Sequence, residues 1–299
     1  MEDTPLVVGV DGSVSSLRAV DWAANEATRH GASLRIVHAS LWERYEGSDP
    51  AIGAEGPPDQ ALAERVVATA AARARRREPS LSVITHIAAE DPAGTLLHES
   101  TFASAVVVGS RGRGELSALL LGSVSLLVAA RAACPVVVIR GDEAALNAEH
   151  GRILLGVGSR DSGTAAVHFA LREASVRHAT LRAVSAWRHP GPRLGKHRPP
   201  SGGAREPAEQ AATSLLARAL EEQTPLFPDV RVERVTAEGP AAKVLTSLSF
   251  EADLLILGAR RQGTPVGLEL GTTAHRALHH SACPVVVVPH AVHTTRATG

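Results

Sequence analysis

Residues 6–39 read LVVGVDGSVSSLRAVDWAANEATRHGASLRIVHA, and the chain repeats them without a gap at residues 153–186 as ILLGVGSRDSGTAAVHFALREASVRHATLRAVSA. A second pair of blocks, residues 106–140 and 254–289, matches near the end of each half. The offset between equivalent positions drifts only from 147 to 149 residues. A nearly constant offset over whole blocks indicates two copies of one domain.

The composition excludes several classes of function. Lys and Arg number 31 and Asp and Glu number 31, so the chain lacks the broad positive field that nucleic acids and anionic membranes attract. Aromatic residues make up 3%, too few for a surface that stacks bases. The most apolar long stretch, residues 116–130, is too short and too interrupted by Gly and Ser to span a bilayer. We therefore expect neither a nucleic-acid partner nor a membrane partner.

The start of the chain and its cysteines bear on the cellular compartment. The acidic start MEDTPLVVGVDG enters a strand at once, which predicts that no signal peptide is present. Cys134 and Cys283 occupy equivalent Ala-Cys-Pro-Val positions, and two cysteines are too few for a disulfide framework. A cytoplasmic location is expected.

Each copy alternates short apolar runs with helical patterns. Such alternation predicts an α/β fold in which helices cover both faces of a parallel sheet. We assign residues 1–141 to a first domain, 142–150 to a linker and 151–291 to a second domain. In the first copy the predicted strands are Leu6–Val10, 33–40, 81–87, Val106–Val108 and Val136–Ile139, and those of the second lie near 152–157, 180–187, 228–235, 253–257 and 284–288.

Two further features concern the surface of each copy. Residues 43–59 and 188–206 are rich in Pro, Gly and charge and are predicted to be mobile surface loops. The valine-rich fifth strand of each copy would invite aggregation if its edge stayed open. We expect the two fifth strands to pair with each other inside one chain, and the alternative is pairing between chains in a homodimer.

Two glycine-bearing turns of the first copy form a candidate binding site. The first follows strand one and contains Gly9 and Asp11; the second follows strand four and leads, after a gap, to a helix start. If strands one and four are neighbours, both turns face one crevice at the carboxyl end of the sheet. The residues of the second turn and of the helix start are Gly109, Arg111, Gly112, Gly122, Ser123, Val124 and Ser125.

The two turns suit different parts of a nucleotide. A glycine-rich turn and a helix N-terminus offer backbone N–H groups to phosphate, and the hydroxyl groups of Ser123 and Ser125 are expected to add donors. Arg111 either adds positive charge or points to water. Asp11 would repel phosphate, so we expect it to accept hydrogen bonds from ribose hydroxyls or a base edge.

Other interpretations of these residues are less well supported. Neither G-x-x-x-x-G-K-[ST] nor a strand followed by G-x-G-x-x-G occurs in the chain. The glycines could serve only tight turns and helix packing, and Asp11 could simply cap the first helix. Six matched positions in two turns favour nucleotide binding over that interpretation. No activated nucleophile and no histidine pair with metal-ligand spacing is evident, so neither catalytic residues nor a metal site is predicted.

Gly109, Gly112, Gly122 and Ser123 fill the spacing G-x2-G-x9-G-[ST], and here the chain resembles a tandem universal stress protein of the ATP-binding type. The resemblance covers essentially the whole chain. It implies two Rossmann-like open parallel five-stranded sheets of order 3-2-1-4-5. It also implies bound ATP, alone or with Mg²⁺, and cytoplasmic dimers. The implied role is a nucleotide-responsive regulator of stress survival or growth that acts through a protein partner.

The second copy departs from this motif. Arg261 stands where the second glycine belongs, and Gly158 stands where the first copy has Asp11. We expect this copy to bind nucleotide weakly or not at all. The matching positions, which remain candidate binding residues, are Gly156, Gly258, Gly271 and Thr272.

Two rival functions stay open at this point. One is a slow ATPase or an adenylyl-transferring enzyme of the same fold, for which Asp11 is the single acidic candidate near the phosphates. The other is a scaffold that binds no nucleotide and is held together by its paired edges. Nucleotide turnover separates the first rival from a regulator, and nucleotide affinity separates the second.

Overall fold

A computed structural model of the chain describes residues 4–40, 58–112, 121–158, 164–188, 205–259 and 270–289. The predicted loops at 43–59 and 188–206 lie almost wholly outside these residues. The strands are β1 Leu6–Gly9, β2 Leu34–Ala39, β3 Val83–Ala88, β4 Ala105–Gly109, β5 Val136–Ile139, β6 Arg152–Gly156, β7 Thr180–Trp187, β8 Val232–Glu238, β9 Leu254–Gly258 and β10 Val285–Val288. The helices are α1 Val14–His30, α2 Pro58–Arg77, α3 Pro92–Glu99, α4 Ser123–Arg131, α5 Glu143–Leu146, α6 Thr164–Val176, α7 Arg205–Glu221, α8 Ala241–Leu248 and α9 Thr272–His280.

The expectation of two separate five-stranded sheets is wrong. The strands form one ten-stranded sheet of order β3-β2-β1-β4-β5-β10-β9-β6-β7-β8. Each half keeps the parallel order 3-2-1-4-5, but β5 and β10 pair antiparallel, with Val137 opposite Val286. The physical reason is that the two valine-rich edges satisfy each other's backbone N–H and C=O groups. The pairing of fifth strands within one chain, expected from the sequence, is confirmed.

Helices cover both faces of this sheet, as predicted. On one face, α1, α2, α6 and α7 pack on the sheet through a core rich in alanine, and Ala19, Ala23 and Ala27 of α1 are fully buried. On the other face, α3, α4, α8 and α9 pack through residues such as Leu96 and Val128. The small alanine side chains let α1 lie close to the strands.

The segment between the two halves is more ordered than a plain linker. Asp142 caps α5 by accepting a hydrogen bond from the backbone N–H of Ala145 at 2.9 Å. Gly141 has a φ of 92°, and a Cβ at this position would overlap the carbonyl oxygen of Ala282 in the other half. Only glycine therefore fits where the chain leaves β5 and passes against the second domain. The domain boundaries themselves stay a prediction.

Cys134 and Cys283 are both buried and unpaired, as expected, and burial raises the pKa of each thiol to about 12. Both are therefore poor nucleophiles at neutral pH. Within the described ranges, no helix combines the length and the apolar character needed to cross a membrane.

Candidate functional site

A cavity of about 550 Å³ opens at the carboxyl ends of β1 and β4. These strands are neighbours, with Val8 paired to Val107, so the two glycine-bearing turns do face one crevice. The cavity is lined by all nine residues that the sequence singles out in the first copy: Gly9, Asp11, Gly109, Arg111, Gly112, Gly122, Ser123, Val124 and Ser125. The volume lies within the usual range for small-molecule sites.

The first turn holds Asp11 at the junction of the two turns. Its Oδ1 accepts a hydrogen bond from the backbone N–H of Ser13 at 3.0 Å, and Ser13, not Asp11, is the N-cap of α1. Its Oδ2 lies 2.8 Å from where a Cβ on Gly112 would stand. The Asp11 carboxylate thus reaches across the crevice to the second turn, which a simple capping role would not require.

The second turn depends on close backbone approach. A Cβ on Gly109 would lie 2.6 Å from the Ser15 Oγ and 2.8 Å from its carbonyl carbon. The N–H of Arg111 donates to the Ser15 Oγ at 3.3 Å. Glycine at position 109 therefore lets the end of β4 lie against the start of α1, because any side chain would push these elements apart.

The start of α4 forms the far wall of the cavity. Gly122 is its N-cap and supplies no side-chain hydrogen bond, so the N–H groups of the first turn carry the partial positive charge of the helix towards the cavity. Ser123 is exposed there. The expectation that Ser125 adds a hydroxyl donor is wrong, because its buried Oγ donates to the Gly109 carbonyl at 2.7 Å. Ser125 instead fastens α4 to the end of β4.

Two arginines lie at this edge of the sheet, and of the two only Arg111 is among the described residues that line the cavity. Burial lowers the pKa of Arg140 to about 10, and the nearby charge of Arg111 acts in the same direction. Arg140 follows β5 and donates hydrogen bonds to the carbonyl groups of Ala277 and Leu278 at the end of α9. Sequence analysis missed Arg140; its position directly after a strand, at the carboxyl end of the sheet, was the available signal.

An apolar wall, also missed by sequence analysis, faces the two turns. Val37 and Ala39 belong to β2, and their spacing of two residues places both on one face of the sheet. Further apolar lining comes from Val10 and Val108 at the ends of β1 and β4, and from Pro92, Leu96 and Leu121. Such a wall suits the flat face of a base or another apolar ring.

The second half has an equivalent but smaller cavity of about 260 Å³. It is lined by the candidate residues of the second copy, namely Gly156, Gly258, Gly271 and Thr272. Gly158 lines it where the first cavity has Asp11, so the carboxylate is missing. Leu257 replaces Val108, and a Cβ on Gly156 would lie 2.6 Å from the Leu257 Cδ2. The larger leucine side chain helps to fill this cavity. Arg261, on which part of the expectation rests, lies outside the described residues.

Sequence analysis also missed a buried charged cluster at the centre of the molecule. Glu26, His30, Glu173 and Arg177 meet there. Glu26 and Glu173 are equivalent positions of the repeat, as are His30 and Arg177. One available signal was this coincidence of charged residues at a shared offset. His38 is a packing histidine: it is buried, with its Nδ1 2.7 Å from the Val10 carbonyl oxygen.

Comparison with solved structures supports the overall fold. A universal stress protein from Archaeoglobus fulgidus has a TM-score of 0.68 at 16% sequence identity, over 97% of this chain and 100% of that chain. Another solved structure is that of a universal stress protein from Archaeoglobus fulgidus in complex with dAMP. It has a TM-score of 0.36 at 23% identity and covers 47% of this chain and 100% of that one.

Comparison of sequences shows the family. A universal stress protein of Mycolicibacterium smegmatis is 33% identical over 293 residues, which cover 95% of this chain and 96% of that protein. The model of the Universal stress protein family matches twice, at residues 4–140 and 149–289. With two copies of the domain on one ten-stranded sheet, the chain belongs to the universal stress protein family.

Proposed function

We propose that the first domain binds ATP and that the protein acts as a nucleotide-responsive regulator of stress survival or growth. The observation that carries the proposal is the convergence, on one cavity of about 550 Å³, of the Asp11 carboxylate and the uncapped N-terminus of α4. We take the side of the cavity with Asp11 as its acidic end and the side formed by the start of α4 as its electropositive end. A nucleotide has the same polarity, because its ribose donates hydrogen bonds and its phosphates accept them.

The electropositive end would hold the phosphates. The first-turn N–H groups of α4, the backbone of Gly109 and Gly112, and the charge of Arg111 provide donors and positive potential there. Glycine at positions 109 and 112 leaves room for the Ser15 and Asp11 groups that lie against them. Arg140 adds to the local positive potential, while its own hydrogen bonds tie this end of the site to α9 of the second domain.

The acidic end would hold the nucleoside. Asp11 has one oxygen engaged by the Ser13 N–H and a second oxygen near Gly112, which leaves lone pairs for ribose hydroxyls. The apolar wall of Val37, Ala39 and Leu96 would cover the base. ATP would stay bound in preference to inorganic phosphate because both ends of the cavity contribute.

A regulatory role fits these residues better than an enzymatic one. Asp11 is the single acidic side chain among the residues that line the described cavity, and the Ser13 N–H already orients it. A hydrolase would need a group that positions water beside the terminal phosphate. The further proposal is that bound ATP biases the segments 43–59 and 188–206 and thereby changes contacts with a protein partner.

The first test is the nucleotide content of the purified protein. After denaturation, we expect about one adenine nucleotide per chain, because the described lining of the second cavity holds no carboxylate and its volume is about half that of the first. About two per chain would contradict the proposed loss of function in the second domain. If the protein contained no nucleotide and took up no added ATP, the result would favour the scaffold that binds no nucleotide. Rapid turnover with magnesium would instead favour the enzyme.

Replacing Asp11 tests the nucleoside end. The Asp11→Asn variant keeps an oxygen for the Ser13 N–H but loses the negative charge, and we expect its Kd for ATP to rise roughly tenfold or more, since hydrogen bonds to charged groups contribute about 1.5–3 kcal/mol. Calorimetric titration of ATP measures the change. The control is Glu64→Ala, which removes an exposed acid of α2 and should leave the Kd unaltered. An unchanged Kd in Asp11→Asn would remove Asp11 from the site.

A further inference from the structure

A second cavity, of about 470 Å³, lies at the opposite end of the strands from the proposed ATP site. Its floor includes Leu6, Ala105 and Leu254, which are the first residues of β1, β4 and β9. The ATP cavity lies at the carboxyl ends of β1 and β4 instead. The two cavities are therefore separate sites on the same sheet.

This cavity straddles the junction of the two domains. Val137 and Val286, the paired residues of β5 and β10, both line it. The antiparallel pairing of equivalent strands relates the two halves by an approximate twofold axis at this point. Trp22 of α1 and Phe169 of α6 are equivalent positions of the repeat and place one aromatic ring from each domain on the wall. The aliphatic part of the remaining lining is Leu6, Ala27, Ala32, Ala105 and Leu254, and the rest is polar or charged. The aromatic and aliphatic part of the cavity suits an apolar body.

One wall carries the buried charged cluster. His30 Nε2 lies 3.0 Å from Glu173 Oε1 and 3.4 Å from Glu26 Oε1. Arg177 pairs with both carboxylates of the cluster: its Nη2 lies 2.6 Å from Glu26 Oε2 and its Nε lies 3.1 Å from Glu173 Oε2. Every carboxylate oxygen of the cluster therefore has a cationic partner. The ring of Trp22 lies 5.5 Å from the Arg177 guanidinium, which fixes the aromatic wall to the cluster.

The charged side chains around the cluster favour binding of an anion over binding of a metal cation. The ligand atoms of Glu26, His30 and Glu173 lie within 4.8 Å of one another, close enough to hold a metal ion. Three arginines nevertheless surround the two carboxylates: Arg177 pairs with both, Arg29 pairs with Glu26 at 2.8 Å, and Arg172 lines the cavity. Before His30 is counted, the surroundings already carry a net positive charge. A divalent cation would meet repulsion there, whereas an anion would be attracted.

The anion position assigned here lies beside the neighbouring side chains of His30 and Arg172. The Nη2 of Arg172 lies 3.4 Å from the Nδ1 of His30. Burial acts to lower the pKa of His30, but hydrogen bonds to Glu173 and Glu26 outweigh it and raise the pKa to about 9. At neutral pH both ring nitrogens then carry a hydrogen, and the Nδ1–H faces the Arg172 guanidinium, which is also a donor. An oxygen anion beside these two groups could accept from both.

We propose that this cavity binds an amphipathic monocarboxylate, whose carboxylate accepts hydrogen bonds from His30 Nδ1 and Arg172 while its apolar body packs between Trp22, Phe169 and the sheet. The ligand would contact both domains, so it would stabilise their junction. The proposal does not depend on ATP binding, because the two cavities share none of their lining residues.

Calorimetric titration of the full chain with decanoate tests the proposal. We expect saturable binding near one decanoate per chain, and at least tenfold weaker binding of decanol, which has the same apolar body without the charge. The exposed Arg172→Gln variant should bind decanoate roughly tenfold or more weakly. Arg76→Gln, an exposed arginine of α2 that does not line the cavity, is the matched control and should bind as the parent does. Unchanged thermal unfolding of both variants checks that they remain folded.

Several outcomes would overturn the proposal. If decanol bound as tightly as decanoate, the cavity would bind apolar chains without recognising the carboxylate. Arg172→Gln that binds decanoate like the parent would remove the assigned anion position. If the parent chain bound Zn²⁺ but not decanoate, and His30→Gln abolished the Zn²⁺ binding, the cluster would be a metal site. Asp11→Asn should leave decanoate binding unchanged, so failure of the ATP proposal and failure of this one are distinguishable.

Discussion

Replacing Arg177 by methionine is expected to lower the free energy of unfolding by about 3–5 kcal/mol, the usual cost of leaving buried charges without their partner. The Arg177 side chain is only 4% exposed and bonds one carboxylate from each domain. Methionine fills much of the same volume but donates no hydrogen bond. Glu173 would then depend on His30 alone, while Glu26 would retain His30 and Arg29.

The pKa values of the two glutamates support this expectation. Burial acts to raise the pKa of Glu26, but the charge of Arg177 and the hydrogen bond to His30 outweigh it, and the pKa lies well below its usual value. Burial and the charge of Glu26 raise the pKa of Glu173 despite the same arginine. Without Arg177, Glu173 would take up a proton to escape its buried charge, and this protonation limits the loss of stability.

Urea unfolding measures the effect, read as the shift in midpoint at constant slope. The matched control is Arg29→Met, which removes an ion pair to the same Glu26. Because Arg29 is 31% exposed, we expect its loss to cost no more than about 1 kcal/mol. Similar losses in the two variants would show that the buried cluster contributes no more than a surface pair. Since Arg177 directly follows α6 in the second domain and Glu26 belongs to α1, the weakened region would be the domain junction.

The second large effect is a loss of stability at alkaline pH through His30. Its pKa is raised to about 9 in the folded protein, against about 6.5 in an unfolded chain. A raised folded pKa means that the stabilisation is complete below about pH 6.5 and disappears as the pH rises through about 9. The difference corresponds to about 3 kcal/mol. The charged groups that face His30 are Glu26, Glu173, Arg29, Arg172 and Arg177.

The measurement is the free energy of unfolding between pH 6 and pH 10 for the parent chain and for His30→Gln. The stability advantage of the parent should shrink by about 3 kcal/mol across this range, since the glutamine does not titrate. His98→Gln, which changes a histidine in the last turn of α3 and away from the cluster, is the control and should leave the pH dependence of the parent intact. A pH-independent difference between the parent and His30→Gln would show that His30 does not carry the charge assigned to it.

Local patterns in the sequence were sufficient to predict the two domains, the order of their elements along the chain and the turns that form the first cavity. Apolar runs such as Val106–Val108 report burial on both faces of a sheet, and the helical spacing of Ala19, Ala23 and Ala27 reports a packed helix face. The carboxyl ends of neighbouring parallel strands meet at one edge of the sheet, so the strand order that the family resemblance implies, with strands one and four as neighbours, places Asp11 near Gly109.

The roles of individual polar side chains were harder to predict from the sequence. Ser125 looks like a hydroxyl donor in the sequence, yet its hydrogen bond goes to the Gly109 carbonyl. Arg140 looks like an ordinary strand end, yet its hydrogen bonds join the end of β5 to α9 of the other domain. A polar residue commonly has several partners within reach, and only the packed structure shows which of them it contacts.

By itself, the sequence determined the repeat, the α/β class of each half and the two glycine-bearing turns that line the first cavity, because these depend on local patterns within one domain. Tertiary structure alone decided that the fifth strands pair within one chain and not between chains, with antiparallel register at Val137 and Val286. It alone also decided that Glu26, His30, Glu173 and Arg177 meet. Helical periodicity states which face of α1 is buried but not what lies against it. The partner of a buried charge is set by how two domains dock, and the charges at this junction stabilise it only after docking has brought them together.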